Sequence, residues 1–298
     1  MAAPSRQIEG LRPRLFGIAY RMLGLRQEAE DAVQEAMLRW YGTDTVEIRS
    51  PEAWLTTVVS RICLDRLRVL AAEREAYIGP WLPEPLVGEA PSPERQVELA
   101  SDLSLALLMV LERLSPEERA AFLMHDTFDC GYPEISRVLG KSEAACRQIV
   151  HRARERIRRD RPRFEVSEDA HRQLVERYVR AVQSRDAGQI ASLLAPEAVF
   201  ISDGGGKMWA ARRPVVGRDR IIRLELGVLR KLTGQFTLQL AEVNGRAGAL
   251  AALDGRPFAV TSFETNGTQI LSVMRVLNPD KLCGLGRGSE SEPRPTTP

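Results

Sequence analysis

A proline-rich segment in the first third of the chain limits how this sequence can fold. Residues 77–93 contain five prolines and two glycines. Proline lacks a backbone donor and clashes with the preceding helical turn, so neither a helix nor a central strand tolerates this density. We interpret the segment as a linker, although it contains the apolar cluster WLPEPL at residues 81–86. The chain has 298 residues, so about two or three folded domains are expected.

Composition disfavours several classes of protein. Hydrophobic residues make up 44% of the chain, which is enough to bury real cores. No uninterrupted apolar run approaches the ~18–20 residues of a membrane span, and the N-terminus lacks the apolar core of a secretory signal. The four cysteines are scattered with no CxxC pair, which disfavours a disulfide framework or a zinc site. These features indicate a cytoplasmic protein without a membrane partner.

The net charge of +2 conceals an uneven distribution. Residues 69–101 and 102–131 each contain 2 basic and 6 acidic residues, a net charge of −4. Residues 132–163 contain 10 basic and 4 acidic residues, a net charge of +6. A basic run is often only a solvated helix face. The near-neutral total therefore does not by itself exclude a nucleic-acid partner.

Apolar residues at helical spacing predict three helices before the linker. They cover about residues 8–23, 27–40 and 51–72. Gly24 breaks the first pattern. The third helix has a clear start, because Ser50 can cap it and is followed by proline and glutamate at the first helical positions. Residues 94–160 are predicted to be helical again, with one helix that Ser115 caps and Gly131 ends.

Residues 132–159 have the layout of a helix-turn-helix. A short helix at 132–139 is followed by Gly140 and by a long helix from Ser142 to about Arg159. The +6 segment coincides with this motif, which favours insertion into a DNA major groove over a solvated hairpin. Arginine can read guanine or bind phosphate, and glutamine can read adenine. The predicted DNA-binding residues are Ser142, Glu143, Arg147, Gln148, His151, Arg152, Arg154 and Arg158.

Residues 164–283 change to an α+β pattern. One helix is predicted at about 167–184, followed by β-rich runs separated by Asn-Gly and Asp-Gly turns, which are hairpin signals. The tail at 284–298 is rich in Gly, Ser, Pro and Glu and is predicted to be disordered. The predicted strands are 198–202, 236–243, 246–253, 257–264 and 269–277.

Several stretches of residues 8–160 resemble the extracytoplasmic-function (ECF) sigma factors, a two-domain class of bacterial transcription initiation factor. The remainder resembles the subgroup that ends in a SnoaL-like domain, whose signatures are WLPEP (81–85), DGGGK (203–207) and NPDKL (278–282). The stretches that carry the resemblance are LFGIAYRMLG (15–24), EAEDAVQEAMLRWY (28–41), SPEAWLTTVVSRICLDRLR (50–68), LSPEERAAFLMHD (114–126) and YPEISRVLGKSEAACRQIVHRARERIRR (132–159).

This resemblance implies a multidomain fold. Two all-α domains, the second with the helix-turn-helix, would precede an α+β SnoaL-like domain, a cone-shaped fold of the NTF2 or ketosteroid-isomerase type. The expected boundaries are sigma region 2 at 1–76, the linker at 77–97, sigma region 4 at 98–163, the SnoaL-like domain at 164–283 and the tail at 284–298.

The resemblance also implies partners. Region 2 would dock on the β′ clamp helices of core RNA polymerase, region 4 would bind the β flap, and both would bind promoter DNA. The residues that would dock on the clamp helices lie on the predicted helix at 27–40. From their spacing alone they would be an ordinary solvated face, opposite Val33, Met37 and Trp40. The free protein is expected to be a monomer. The implied polymerase-binding residues are Asp31, Gln34, Glu35, Leu38 and Arg39.

The helix at 51–68 corresponds to the reader of the promoter −10 element, where unpaired non-template bases are captured. Trp54 is more typical of a core residue than of a base-stacking platform. The chain has no GxxxxGK[ST] motif, so opening of DNA driven by ATP is unsupported and no cofactor is expected. Thr56 is predicted to face outward with the implied −10 residues, which are Thr57, Ser60, Arg61, Asp65 and Arg68.

The extra domain suggests regulation in cis. The three consecutive glycines of DGGGK indicate a tight turn that another segment of chain can approach closely. We expect DGGGK and NPDKL to hold the linker, with Trp81 and Leu82 buried against the C-terminal domain and Glu84 paired with Lys207. The alternative is a simple β-turn beside a stiff spacer. The residues assigned to this regulatory site are Trp81, Leu82, Pro83, Glu84, Pro85, Asp203, Gly204, Gly205, Gly206, Lys207, Asn278, Pro279 and Asp280.

Two other functions remain open at this point. The C-terminal domain could be an enzyme that uses Asp203 as a base, and a small-molecule ligand of that domain is left open. The chain could also be a helix-turn-helix repressor or activator that does not dock on polymerase. An Asp among glycines is more often structural than catalytic, and the implied polymerase-docking helix disfavours the repressor or activator.

Overall fold

The computed structural model describes residues 8–44, 48–88, 104–160 and 166–286. These residues form two compact units. The helical unit takes the described residues up to Tyr77 together with 104–160. The mixed unit takes Ile78–Gly88 together with 166–286, so the described part of the linker packs with the C-terminal domain. The predicted tail beyond residue 286 and linker residues 89–97 lie outside the described residues.

Seven α-helices lie wholly within the described residues of the helical unit, and a π-helical turn, Leu123–Thr127, follows the fifth of them. The helices are α1 (Arg12–Leu23), α2 (Arg26–Tyr41), α3 (Pro51–Glu75), α4 (Leu105–Leu111), α5 (Pro116–Phe122), α6 (Tyr132–Leu139) and α7 (Glu143–Asp160).

The helix ends follow from the capping residues that the sequence shows. Gly24 adopts a left-handed conformation (φ 72°) that ends α1. The Ser50 Oγ accepts a hydrogen bond from the Ala53 N–H and starts α3. Ser115 and Glu118 form a reciprocal capping box at the start of α5. The predicted starts at residues 50 and 115 are therefore confirmed.

The core of the first part of the helical unit lies between α1, α2 and α3. The predicted apolar side of α2 is buried, including Val33, Met37 and Trp40. The Trp54 ring meets the Trp40 ring edge to face, with centroids 5.4 Å apart. Trp54 is therefore a packing residue in this structure, which is the interpretation that the sequence favoured.

The helix expected to run from Ser115 to Gly131 is shorter than predicted. It ends at Phe122 and passes into the π-helical turn, in which the Phe128 N–H donates to the Leu123 carbonyl at 3.1 Å. Asp129 then takes a left-handed conformation (φ 52°). This wider turn re-aims the chain before α6, a feature that apolar spacing does not reveal.

The mixed unit is α+β, as predicted. Its six-stranded sheet has the order β2-β1-β6-β5-β4-β3, antiparallel except for the parallel pair β1–β6. Its elements are α8 (Glu168–Gln183), α9 (Ala187–Leu193), β1 (Leu194–Asp203), β2 (Val215–Val216), α10 (Arg218–Lys231), β3 (Phe236–Val243), β4 (Arg246–Leu253), β5 (Arg256–Thr265), β6 (Ile270–Val276) and two 3₁₀ turns (Pro279–Lys281 and Cys283–Gly286).

Turn chemistry sets the register of the meander. Asn244 and Gly245 have φ values of 53° and 79°, and Asp254 and Gly255 have 50° and 76°. Two successive positive φ values are what a type I′ hairpin requires. The predicted bounds of β3 and β4 are confirmed, and their pairing runs from Phe236↔Leu253 to Val243↔Arg246.

Three elements of this unit were missed from the sequence. They are α9, β2 and α10. In α10 the buried side includes Glu225 beside Ile221, Ile222 and Leu229, so its apolar pattern is interrupted. No helix among the described residues is long and apolar enough to cross a membrane.

Candidate DNA, polymerase and linker interfaces

The long helix α7 presents one continuous polar face. Its opposite side is buried through Cys146, Ile149, Val150 and Ala153. The Ser142 Oγ accepts a hydrogen bond from the Ala145 N–H at 3.3 Å, which caps the helix. The predicted DNA-binding residues on the exposed face are Ser142, Glu143, Arg147, Gln148, His151, Arg152 and Arg158.

Two contacts fix the first exposed arginine of this face. The Arg147 guanidinium donates to Glu143 at 3.2 Å and lies over the Tyr132 ring, 5.1 Å from its centroid. Arg147, Gln148, His151 and Arg152 together line an open depression. The arrangement places guanidinium, amide and imidazole groups side by side, as groove recognition requires.

Arg154 differs from its neighbours. Its guanidinium binds both carboxylate oxygens of Asp126, at 2.8 and 2.5 Å. This hydrogen bonding raises the pKa of Arg154 above its usual value. Arg158 pairs more loosely with Glu155, at 3.3 Å. The predicted face is therefore brought together, and Arg154 is the member whose guanidinium is held by a bidentate pair with Asp126.

The implied polymerase-docking residues lie along one side of α2. Asp31, Gln34, Leu38 and Arg39 are exposed, and Leu38 is 64% exposed. Glu35 is half-buried and accepts a hydrogen bond from Arg39 at 2.6 Å. An exposed leucine surrounded by charged and polar groups is the composition expected at the centre of a docking surface.

The implied −10 face of α3 is only partly accessible. Thr56 and Ser60 were predicted to face outward, and this orientation is wrong, because they are 4% and 0% exposed. The cause is a wide buried arc, since α3 packs against α5 and α6 as well as α1 and α2. The Thr57 hydroxyl donates to the Ala53 carbonyl at 2.9 Å.

The remaining −10 residues contact region 4 or each other. The Arg61 guanidinium donates to the Arg137 carbonyl of α6 at 2.6 Å. Arg68 pairs with Asp65 at 3.0 Å and lies 3.7 Å from Glu117. The implied −10 face therefore meets helices of the helix-turn-helix region within the helical unit.

A buried ion-pair network, which we call the Glu112 hub, joins the two halves of the helical unit. Glu112 binds both Arg74 and Arg119. Arg119 donates to the Arg21 carbonyl at 3.1 and 2.8 Å, and Arg74 donates to the Leu23 carbonyl at 2.7 Å. These carbonyls end α1 and would otherwise lack partners. Burial lowers the pKa of Arg74, whose guanidinium remains charged beside Glu112.

In the mixed unit, Asp203 and Lys281 hold the linker. The Leu82 side chain is fully buried, and its backbone N–H donates to Asp203 Oδ2 at 2.9 Å. Lys281 Nζ donates to the Leu82 carbonyl at 2.6 Å and to Asp203 at 2.7 Å. The Lys281 ammonium also lies over the Trp81 ring, 4.2 Å from its centroid. We call this arrangement the linker clamp.

The end of the linker covers an edge of the sheet. The Leu86 N–H donates to the Asn244 side-chain oxygen at 3.0 Å, and the Asn244 backbone N–H donates to the Leu86 carbonyl at 2.8 Å. The Gly88 N–H donates to the Glu242 carbonyl at 3.2 Å, and Val87 bridges Val243. Because β3 is the last strand of the sheet, these bonds partly cover an edge that would otherwise be open to pairing.

The three glycines of DGGGK leave room for neighbouring segments. A Cβ on Gly205 would lie 2.3 Å from Asn278 Nδ2, and one on Gly206 would lie 2.9 Å from the Ile78 side chain. Both glycines have positive φ, 59° and 71°. Gly204 is equally constrained, because its Cβ would lie 2.3 Å from the Met208 carbonyl oxygen. The loop therefore fits only glycine.

The predicted ion pair between Glu84 and Lys207 is wrong. Lys207 instead donates to both carboxylate oxygens of Asp280, at 2.8 and 2.6 Å. The pair ties DGGGK to NPDKL, in which Asn278 Oδ1 accepts from the Asp280 N–H beside Pro279. The lysine that reaches the linker is Lys281, which sequence analysis missed although it lies inside the NPDKL signature.

Comparisons with known proteins agree with this architecture. The family model "Sigma-70 region 2" matches residues 8–72, and "Sigma-70, region 4" matches residues 104–157. The chain is 42% identical over 290 residues to the ECF RNA polymerase sigma factor SigJ of Mycobacterium tuberculosis, an alignment that covers 93% of each protein. This chain belongs to the ECF sigma factors.

Two further comparisons extend over most of this sigma factor. It is 30% identical to the probable ECF RNA polymerase sigma factor SigI of Mycobacterium tuberculosis, covering 91% of this chain and 92% of SigI. The crystal structure of Mycobacterium tuberculosis SigJ superimposes with a TM-score of 0.76 at 37% identity, covering 94% of this chain and 98% of that one. The likeness therefore includes the C-terminal domain.

A small polar network lies within the apolar core of the C-terminal domain of this sigma factor. The Tyr178 hydroxyl donates to Glu225 at 3.0 Å, and Arg275 donates to the same carboxylate at 3.0 and 2.8 Å. Arg275 also lies 5.1 Å from the centroid of the Phe200 ring. Asp203, the base considered for an enzyme, is fully buried and accepts from Lys281, Leu82 and Gly205. Its oxygens are therefore occupied by structural donors.

A buried histidine lies between helix α8 and the sheet of this domain, and its surroundings predict a dependence of stability on pH. His171 is fully buried, with Nδ1 3.2 Å from Thr265 Oγ1 and Nε2 2.9 Å from the Ala247 carbonyl. Burial, together with the Arg246 charge, lowers the pKa of His171 below its usual 6.5. The unfolded chain therefore binds a proton more readily, and stability present above pH 6.5 is lost as the pH falls.

We expect the C-terminal domain to melt at a lower temperature near pH 5 than near pH 7, and His171→Gln to reduce this difference. Thermal unfolding of both proteins at the two pH values measures the effect, and comparison with the variant removes the contribution of the carboxylates. An equal pH dependence in the two proteins would contradict a role for His171.

Proposed function

We propose that this ECF sigma factor, which binds core RNA polymerase and promoter DNA and directs transcription initiation, divides these tasks among three helices. Region 4 reads the −35 element through α7, region 2 reads the −10 element through α3, and α2 docks on the β′ clamp helices. Region 4 would also bind the β flap. The observation that best supports DNA reading is a row of exposed residues on α7, on the side opposite its buried residues. This row includes Arg147, Gln148 and His151.

The test is a selection from a library of duplexes. Core RNA polymerase is incubated with the full-length protein and randomised DNA, and the bound sequences are recovered. We expect two enriched blocks and transcripts that start downstream of them. Enrichment by the protein alone, without binding to core polymerase, would instead favour a repressor or activator of helix-turn-helix type.

The exposed row on α7 makes a prediction about single residues. Arg147→Ala is expected to cost about 1–3 kcal/mol at one preferred base pair and to relax specificity there, because a bidentate contact to a base edge is lost. Arg158→Ala should weaken binding about equally on all sequences, because a later arginine contacts phosphate. Competition between recovered and base-substituted duplexes distinguishes the two. Uniform weakening by both variants would contradict base reading by Arg147.

We further propose that the C-terminal domain regulates the sigma factor in cis through the linker clamp. The clamp holds residues 78–88, eleven residues that could extend by up to about 36–40 Å if released. The −10 and −35 elements are separated by roughly 25 bp, or about 85 Å at ~3.4 Å per base pair. Holding the linker therefore limits how far the two DNA-binding regions can separate. The supporting observation is the buried Leu82, bonded at both its N–H and its carbonyl.

A further inference from the structure

The C-terminal domain carries a concentrated positive charge that is not apparent from the net charge of the whole chain. Residues 207–231 contain 8 basic and 2 acidic residues, a net charge of +6. One of the two acids, Glu225, is buried against Arg275 and contributes nothing to the surface. This matches the charge of the helix-turn-helix segment, yet it lies in a domain to which no DNA contact has been assigned above.

Helix α10 places much of this charge on one face. Ile221, Ile222, Glu225 and Leu229 are buried on the inner side. The exposed basic residues recur at positions i, i+3, i+10 and i+11, which fall within an arc of about 100° on the opposite side. The row is about 16 Å long at ~1.5 Å per residue. We call it the α10 basic row, and its members are Arg220, Arg223, Arg230 and Lys231.

These charges are not neutralised within the part of the chain that the structure describes. Arg223 and Arg230 donate only to carbonyls of their own helix, at 3.3 and 3.2 Å, and no described carboxylate lies within ion-pair distance of any member of the row. Helix α8 of the same domain differs, because Arg172 and Arg180 both pair with Glu176. The row is therefore available to an external anion.

A glycine lies in the middle of the row. A Cβ on Gly227 would meet nothing within 4 Å, so packing inside this chain does not require glycine there. Glycine in a helix interior costs about 1 kcal/mol relative to alanine. Its absent side chain lowers the surface between Arg223 and Arg230, so that an extended partner can approach the helix backbone closely.

We propose that the α10 basic row binds the sugar–phosphate backbone of duplex DNA, giving this sigma factor a DNA contact outside regions 2 and 4. Three of the four cations are arginines, whose planar guanidinium suits phosphate oxygens. At about 16 Å the row spans roughly five base pairs along the duplex axis at ~3.4 Å per base pair. We assign its cations to phosphates, contacts that position a protein on DNA without reading sequence. A membrane fits less well, because the apolar side of α10 is already packed inward.

The test compares two variants of the full-length protein with equal loss of charge. Arg220→Gln/Arg223→Gln/Arg230→Gln changes the row, and Arg172→Gln/Arg177→Gln/Arg180→Gln changes exposed arginines of α8. Binding to a fluorescein-labelled duplex without a promoter sequence is followed by anisotropy over a range of KCl concentrations. Thermal melting confirms that both variants are folded, as expected for exposed side chains.

We expect the α10 variant alone to lose affinity and to reduce the slope of log affinity against log salt by about 2–3, since each phosphate contact contributes ~0.9. Equal slopes for the α10 and α8 variants would overturn the proposal. So would unchanged duplex binding accompanied by weaker binding to core polymerase or to vesicles with anionic lipid, because the row would then serve a protein or a membrane. Since α7 is intact in both variants, failure of promoter reading would appear separately as loss of sequence preference.

Discussion

Asp203→Ala is expected to lower the free energy of unfolding of the C-terminal domain by about 3–5 kcal/mol, the usual cost of leaving one partner of a buried ion pair uncompensated. Lys281 is only 6% exposed, and its ammonium would keep the Leu82 carbonyl as a bonding partner but lose its counter-ion. The Leu82 N–H would lose its acceptor as well. The linker should therefore be released or strongly loosened.

The double variant Asp203→Ala/Lys281→Met separates charge from packing. It leaves no unpaired charge, so it should be more stable than either single variant, as buried ion pairs replaced by apolar groups often are. Hydrogen exchange of residues 78–88 should be faster than in the wild type in all three variants, because the bonds to Leu82 are lost or reduced in each. Thermal unfolding and exchange measured on the same samples test both statements.

Regulation in cis also predicts that the double variant has altered transcription activity. Run-off transcription from a promoter recovered by the library selection should change relative to the wild type, because the clamp is lost while the domain remains folded. Transcript yields identical to those of the wild type, together with faster exchange in the linker, would contradict the proposal that the clamp regulates activity. Lys207→Gln is a matched control, since the Lys207 ammonium pairs with the exposed Asp280 and makes none of the hydrogen bonds described above for Leu82.

Local rules explain why much of the fold was predictable. Helix starts at Ser50 and Ser115, and hairpins at Asn244-Gly245 and Asp254-Gly255, depend on residues adjacent in sequence. Such short-range chemistry is visible in one chain. The glycines of DGGGK were also informative, because three in succession indicate a close approach even when the approaching segment is unknown.

Long-range contacts explain what the sequence could not show. Ser60 lies on α3 at a position that is outward for a helix packed on one side only, yet α3 also packs against α5 and α6. The partner of Lys207 could not be chosen from spacing, since Glu84 and Asp280 are both distant in sequence. Helix α10 was missed because a buried Glu225 breaks its apolar pattern, although Arg275 satisfies that glutamate in the fold.

If α3 reads the −10 element and α7 the −35 element, as proposed, the two regions lie too close together in this structure to read both at once. Arg61 of α3 donates to the Arg137 carbonyl of α6 at 2.6 Å, whereas the −10 and −35 elements lie roughly 85 Å apart at ~3.4 Å per base pair. The proposal therefore requires the helical unit to open from this closed form before it reads a promoter.

Glu112→Ala should therefore favour opening of the helical unit. It removes the carboxylate that binds both Arg74 and Arg119, two guanidinium groups that are largely buried. A loss of about 3–5 kcal/mol from the closed form is expected, because a buried charge loses its partner. Hydrogen exchange should accelerate at the end of α1, whose Arg21 and Leu23 carbonyls the two arginines bind. Glu112→Gln, which keeps an acceptor oxygen, should have a smaller effect.

Opening should also change function. If only a small fraction of the sigma factor is open, apparent affinity for core polymerase is reduced by that fraction, and destabilising the closed form restores it. We expect Glu112→Ala to bind core polymerase more tightly than the wild type at temperatures where region 2 stays folded. Glu155→Ala is the control variant. It removes an exposed ion pair with Arg158 and should alter the free energy of unfolding by less than about 1 kcal/mol. Weaker or unchanged polymerase binding by Glu112→Ala, with region 2 shown to be folded, would contradict the closed form as a barrier to assembly.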